Sequence, residues 1–274
     1  MSSVFGYGER VAVSDVDLSE LSVFARETVV AAGDVTLPYF RSNVEVENKR
    51  SDGFDPVTEA DKAAEMIIRQ RIADRFPQHG IYGEEFGHQE GNGLTWVIDP
   101  IDGTRAFMSG MLHWGVLLGL FDGETAIVGA MCQPFVGEVF VGDGRQAEYT
   151  RGAVVQKLAT SSTQSLGDAV LGTTGPDWFG DDRQRFDALR DQVKMYRLGG
   201  DCYLHAMVAM GGVDIASDGN LNPYDIQALI PIVRGAGGVV STYDGGEPSM
   251  GGSILCSANQ RLHNEALDVI QKIG

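Results

Sequence analysis

Two carboxylates three residues apart, Asp99 and Asp102, stand at the end of the apolar run Trp96-Val97-Ile98. Pro100 stiffens the turn between them, and Gly103 lets a backbone approach a ligand closely. Where a helix or tight turn starts at this point, the amides of Gly103 and Thr104 face an anion, a geometry that favours phosphate. Carboxylates beside such amides repel an anion unless cations intervene. Hard oxygen ligands select Mg²⁺ or Mn²⁺, which keep open positions for phosphate oxygens. Taken alone, the segment also suits a turn closed by an Asx cap.

The rest of the composition narrows the chemistry. A formal charge of −17 over 274 residues excludes a phosphate-backbone partner, which needs clustered Lys and Arg. It also implies that some of the excess acid holds metal. Cys132, Cys202 and Cys256 lie far apart without CxxC spacing, so they read as small buried residues. His79, His88, His113, His205 and His263 form no HExxH-like pair and read as structural. No apolar run reaches the roughly 18–20 residues that cross a bilayer. Met1 to Ser14 carries no secretory pattern, and a cytoplasmic location is expected.

The elements that must position these acids follow from periodicity. Leu18, Leu21, Phe24, Ala25, Val29 and Ala32 make a helical stripe, expected to continue with a bend to residue 42. A second helix starts at Thr58 as N-cap and turns Ala64, Ile67, Ile68, Ile72 and Phe76 inward. Trp96 to Ile98 reads as a strand ending at Asp99. His113–Phe121 and Glu124–Gln133 read as strands joined at Asp122-Gly123, followed by Gly137–Gly142. Beyond residue 150 strands and helices alternate. The strands are 169–173, 195–198, 213–217, 238–241 and 254–257; the helices are 183–193, 202–210, 225–235 and 259–273. Two halves result, an α+β unit over residues 1–150 with an antiparallel sheet and an α/β unit over 151–274.

Three ordered blocks, Asp55 to Asp61, Gly83-Glu84-Glu85 and Trp96 to Thr104, together with Pro223-Tyr224-Asp225 and Gly235 to Gly238, resemble the inositol monophosphatase superfamily. The resemblance implies a layered αβαβα sandwich and metal-assisted hydrolysis of a phosphate monoester. It places one metal on Glu84, Asp99 and the carbonyl of Ile101, and a second on Asp99, Asp102 and Asp225. Glu84 shares a looser third. Gly103 and Thr104 amides bind phosphate, Asp61 accepts from the Thr104 hydroxyl, and Thr104 with Glu84 positions the attacking water. Lys49 or Arg50 stands where the family often has a basic residue. A homodimer and inhibition by lithium are further family expectations.

Each residue has a plainer reading as well: Glu84 as loop charge, Asp61 as a third-position helix acid, Asp225 as a first-turn acid. Two departures sort the substrate. Arg105-Ala106-Phe107 replaces the Thr-Asn-Phe usual in inositol phosphatases, and Tyr224-Asp225 replaces Trp-Asp. With Gly199 to Tyr203 these resemble the histidinol-phosphate phosphatase branch. A substrate bearing an ammonium and an imidazole calls for carboxylates in its pocket, and Asp201 and Asp218 stand at the family's substrate-facing positions. Arg197 is then a supporting partner or a phosphate contact, and Asp201 could equally be a helix N-cap. An inositol or broad sugar-phosphate phosphatase is the alternative enzyme, and a regulatory binding protein the alternative outside catalysis.

Overall fold

Asp17 opens the first ordered element: its Oδ1 accepts from the amides of Ser19 at 3.0 Å and Glu20 at 3.2 Å, satisfying donors a helix start leaves free. The structure, a computed structural model, describes residues 17–42, 46–48 and 56–273, and of residues 46–48 and 56–58 the backbone alone. The first part runs α1 (Leu18–Thr36), β1 (Val46–Asn48), β2 (Pro56–Thr58), α2 (Glu59–Arg75), β3 (Gly80–Gly83), β4 (Gly87–Gln89), β5 (Thr95–Asp102) and α3 (Thr104–Met108). Five strands follow: β6 (Gly115–Phe121), β7 (Ala126–Gln133), β8 (Glu138–Gly142), β9 (Ala147–Arg151) and β10 (Val154–Lys157). The chain then alternates. It passes through β11 (Val170–Thr173), α4 (Arg183–Arg190), β12 (Met195–Leu198), α5 (Asp201–Ala209) and β13 (Ile215–Leu221). It closes with α6 (Pro223–Ile226), α7 (Leu229–Gly235), β14 (Val239–Thr242), β15 (Gly252–Ser257) and α8 (Gln260–Ile270).

Strands β3 to β10 form one eight-stranded sheet in the order β10-β9-β8-β7-β6-β5-β3-β4, and a five-stranded sheet follows the order β12-β11-β13-β15-β14. Apolar residues of α1 and α2 cover one face of the larger sheet through Phe24, Val29, Ile68, Trp96 and Val128. Its other face packs on α5 and α7 in a core that also takes Val240, Ile254 and Cys256 from the smaller sheet. Phe186, Leu189, Leu262 and Ile270 of α4 and α8 cover the far side of that sheet. The result is the expected five-layer αβαβα sandwich. Among the described residues no helix is long and apolar enough to cross a membrane.

The middle layer sits unusually close to the larger sheet. Gly119, Gly129 and Gly142 lie in register across β6, β7 and β8. A Cβ on Gly129 would stand 1.8 Å from the carbonyl oxygen of Ala228, and one on Gly142 would stand 2.5 Å from that of Pro231. Bare backbone there is what lets the chain after β13 press onto the sheet.

Several boundaries differ from the sequence expectation: the strand expected over 213–217 runs from Ile215 to Leu221, the last helix ends at Ile270, and three further differences have a plain cause or bear on the acids. Helix α1 stops at Thr36, not near residue 42, because Pro38 has no amide to give the carbonyl of Asp34 and its ring crowds that oxygen; residues 37–42 are turns and a bend. The strand at Trp96 continues past Asp99 to Asp102. The helix expected over 225–235 is two pieces, since Pro231 has no amide to donate and its ring crowds the carbonyl of Gln227. Strands β3, β4, β9 and β10 and the β1–β2 pair carry no periodic signal long enough to be read.

Candidate active site

A regular strand turns residues i and i+3 to opposite faces. Asp99 and Asp102 escape this because the β5–β6 register slips between them: Asp99 pairs with Leu117, but Asp102 pairs with Gly115. Three residues thus oppose two, a bulge at Pro100-Ile101 that restores both carboxylates to one side. Asp225 arrives from the second half. Asn222 caps α6, and Asp225 Oδ2 returns the bond by accepting from the Asn222 amide at 2.6 Å. Asp99, Asp102 and Asp225 each offer a carboxylate oxygen, all within 4.8 Å of one another.

Such packing strains the charges. Burial, then Glu84, Asp102, Asp225 and Asp61, push the Asp99 carboxyl well above its ordinary range. Burial raises Asp102, against hydrogen bonds from Cys202, whose amide stands 2.6 Å from Oδ2. Burial and Asp102 push Asp225 up to about 7, against hydrogen bonds from Asn222 and Asp99. Like charges held together in a half-buried site are relieved by taking up protons or a counter-ion. The donors are all hard oxygens in a half-buried cleft, a set that fits Mg²⁺ or Mn²⁺ and suits soft metals poorly.

Glu84 lines the same cavity beside Asp102, Thr104 and Asp225, although it stands outside the tight trio. Its position is fixed by a residue the sequence did not advertise. Glu65 of α2 is fully buried and accepts from the amides of Glu85 at 2.7 Å and Phe86 at 3.2 Å and from Arg69 Nε at 2.7 Å. Gly83 makes room for it, since a Cβ there would meet Glu65 Oε1 at 1.9 Å. Asp61 is buried in the first turn of α2, close enough to Asp99 to influence its titration. Lys49, Arg50 and Asp55 lie outside the described residues.

The turn after β5 is built on Gly103, whose φ of 81° favours glycine; a Cβ there would also strike the His113 carbonyl at 2.5 Å. The Thr104 hydroxyl donates to the Ile101 carbonyl at 3.1 Å, the same oxygen the sequence reading gives to a metal. Gly103, Thr104, Asp201 and Asp218 all line a cavity of about 490 Å³. Asp201 is held at φ 44°, a left-handed conformation costly for a residue with a side chain. Burial, then Asp102 and Asp218, push its carboxyl up to about 8, with Arg105 acting against them.

Asp218 is differently placed. Its Oδ1 accepts from Thr174 N at 2.6 Å and Thr173 Oγ1 at 3.1 Å, and Oδ2 faces His205 Nε2 at 3.1 Å. Arg197 lies on the exposed edge strand β12, away from the residues lining the cavity. Among residues that sequence reasoning missed, Glu65 shows only an ordinary helix pattern and Trp178 an isolated aromatic. The close pairing of Asn222 with Asp225 could have been found, because an Asn before Pro followed by an acid three residues later is a capping-box signature.

A cluster of carboxylates at a bulged strand end, completed by helix α6 of the second half, suits a metal-assisted hydrolase. Comparison with known proteins gives the same class. The profile of the Inositol monophosphatase family matches residues 17–274. The histidinol-phosphatase of Chlorobaculum parvum is 37% identical over 250 residues, 90% of this chain and 95% of that one. The inositol-1-monophosphatase of Synechocystis is 32% identical over 270 residues, 94% and 91% of the two chains. A solved inositol monophosphatase from Zymomonas mobilis superposes with a TM-score of 0.82 at 30% identity, covering 93% of this chain and 99% of that one. The chain belongs to the inositol monophosphatase family and is a phosphatase, a phosphoric monoester hydrolase.

Proposed function

We propose that this phosphatase hydrolyses L-histidinol phosphate to L-histidinol and phosphate with magnesium as its metal. The observation that carries the reading is Asp201, a carboxylate kept in unfavourable backbone in the wall of the same cavity that Asp102 and Asp225 line. That strain has a use if the leaving alcohol bears an ammonium group. The histidinol-phosphatase of Chlorobaculum parvum supports the same choice.

Glu84, Asp99, the Ile101 carbonyl, Asp102 and Asp225 would hold two or three Mg²⁺ ions, with Mn²⁺ able to substitute. When bound, these ions neutralise the site, acidify water and offset charge on the departing alcohol. The protein does the rest. Gly103 and Thr104 amides bind the phosphate, and Asp102 would meet it only across a bound cation. Thr104 and Glu84 orient the attacking water and take up its hydrogen bonds, and Asp61 steadies Thr104. Asp201 receives the substrate ammonium, a cation that would return its carboxyl to the charged form. Asp218 fixes the wall behind it through Thr173, Thr174 and His205.

A cytoplasmic homodimer inhibited by lithium belongs to this reading. Edge strand β12 supports the dimer, since it exposes Met195, Tyr196 and Leu198 together. The alternative substrate, an inositol 1-phosphate or sugar phosphate, is favoured by the name of the Synechocystis relative. Measuring kcat/KM in Mg²⁺ separates the two. Histidinol phosphate should clearly exceed myo-inositol 1-phosphate, and equal or reversed values end the proposal.

A further inference from the structure

Trp178 is the one tryptophan that reaches solvent. Trp96 and Trp114 are fully buried, whereas Trp178 keeps 36% of its surface exposed in the cavity wall, beside Thr174 and Asp177. Its setting is rigid. The carbonyl of Trp178 accepts from Asn220 Nδ2 at 2.6 Å, and the next residue, Phe179, is buried and stacks on Phe186 with centroids 4.3 Å apart. Gly219 lets this turn sit down on β13, because a Cβ there would stand 2.5 Å from Phe179 Cα. An exposed indole on so firm a base is a prepared surface.

The indole face already carries a ligand-like group. The Arg105 guanidinium lies over it, 4.4 Å from the ring centroid, and Arg105 lines the same cavity. A guanidinium is planar, cationic and delocalised, so the chain itself demonstrates what this face accepts. Imidazole and imidazolium share that shape and, when protonated, that charge. A polyol ring has neither a planar π face nor a charge to place there.

We propose that Trp178 is the stacking platform for a planar heteroaromatic ring on the leaving alcohol, and that this ring displaces Arg105 from the indole face on binding. The inference rests on the phosphatase reading of this cavity and extends it to the end of the substrate away from phosphate. Trp178 thereby sets preference among phosphate esters, while the carboxylate cluster handles the phosphate they have in common.

Tryptophan emission tests this without a variant, since a ligand stacking on Trp178 perturbs the only accessible indole. Titrating the magnesium-loaded enzyme with histidinol should change the emission saturably, and Trp178→Phe should abolish that change. Trp178→Ala should raise KM for histidinol phosphate about tenfold with little change in kcat, and leave KM for ringless glycerol 2-phosphate within about twofold. Trp178→Phe, which keeps an aromatic face, should retain most of the affinity. An enzyme that favours histidinol phosphate yet shows unchanged emission at saturating histidinol overturns the platform and leaves the substrate assignment standing. Equal KM increases for both esters do the same. Preference for myo-inositol 1-phosphate removes the substrate assignment and this inference with it.

Discussion

Two kinds of buried acid lie within this protein, and their surroundings differ. Glu65, Asp214 and Asp218 are each ringed by donors: amides and Arg69 for Glu65, Val170 N and Ser161 for Asp214, threonine groups and His205 for Asp218. Asp99, Asp102 and Asp225 each accept from one backbone amide, of Ile101, Cys202 and Asn222, but they also turn oxygens toward one another, and burial raises all three. Donor-ringed acids hold loops in place. Mutually facing acids destabilise the metal-free chain and become favourable when a cation arrives.

Breaking the second kind should have the largest effect on turnover and the least on folding. Asp99→Asn should lower kcat by about a thousandfold, the several kcal/mol a metal centre supplies, while the melting temperature without metal stays level or rises. A large loss of stability in that variant would erase the distinction between the two kinds of acid. Glu65→Ala should do the reverse. It strands Arg69 and two amides, costing about 3–5 kcal/mol in denaturant unfolding, with a smaller fall in activity, roughly 10–100-fold, as Glu84 drifts.

The other predictions sharpen how the two regions meet. Gly129→Ala forces a methyl against the Ala228 carbonyl and should cost about 1–3 kcal/mol, read by thermal melting. Magnesium affinity should weaken with it, because Asp225 is carried on the displaced segment; unchanged affinity would mean that the cluster tolerates loose docking. The smallest effect concerns His263, hydrogen-bonded to Ser241 and Ser257 in the second sheet's core. Burial lowers its pKa from 6.5 to about 4, so the folded state keeps it neutral where the unfolded chain protonates. Its contribution is therefore complete above pH 6.5 and lost as pH falls toward 4. Melting temperature should drop across that window, and His263→Gln should flatten the drop.

How much of this was legible depended on whether the signal was local. Asp99 and Asp102 announce themselves by type and spacing, Asp225 only through the family resemblance of its block, and the alternation beyond residue 150 gives the smaller sheet. The bulge at Pro100-Ile101 does not, because a proline between two acids reads as a strand ending. Glu65 was hidden by an ordinary helical context; its burial arises from the missing side chain of Gly83. Gly119, Gly129 and Gly142 are scattered in sequence and become a row only through strand register. Trp178 gains meaning from Arg105, far away in the chain.

The glycine row has a consequence for how the enzyme matures. Until helix α7 seats on that bare stretch of sheet, a nascent chain owns Asp99 and Asp102 but not Asp225. Divalent ions should then grip the incomplete protein weakly and the finished one firmly. Metal uptake would then reward only molecules whose two sheets have come together.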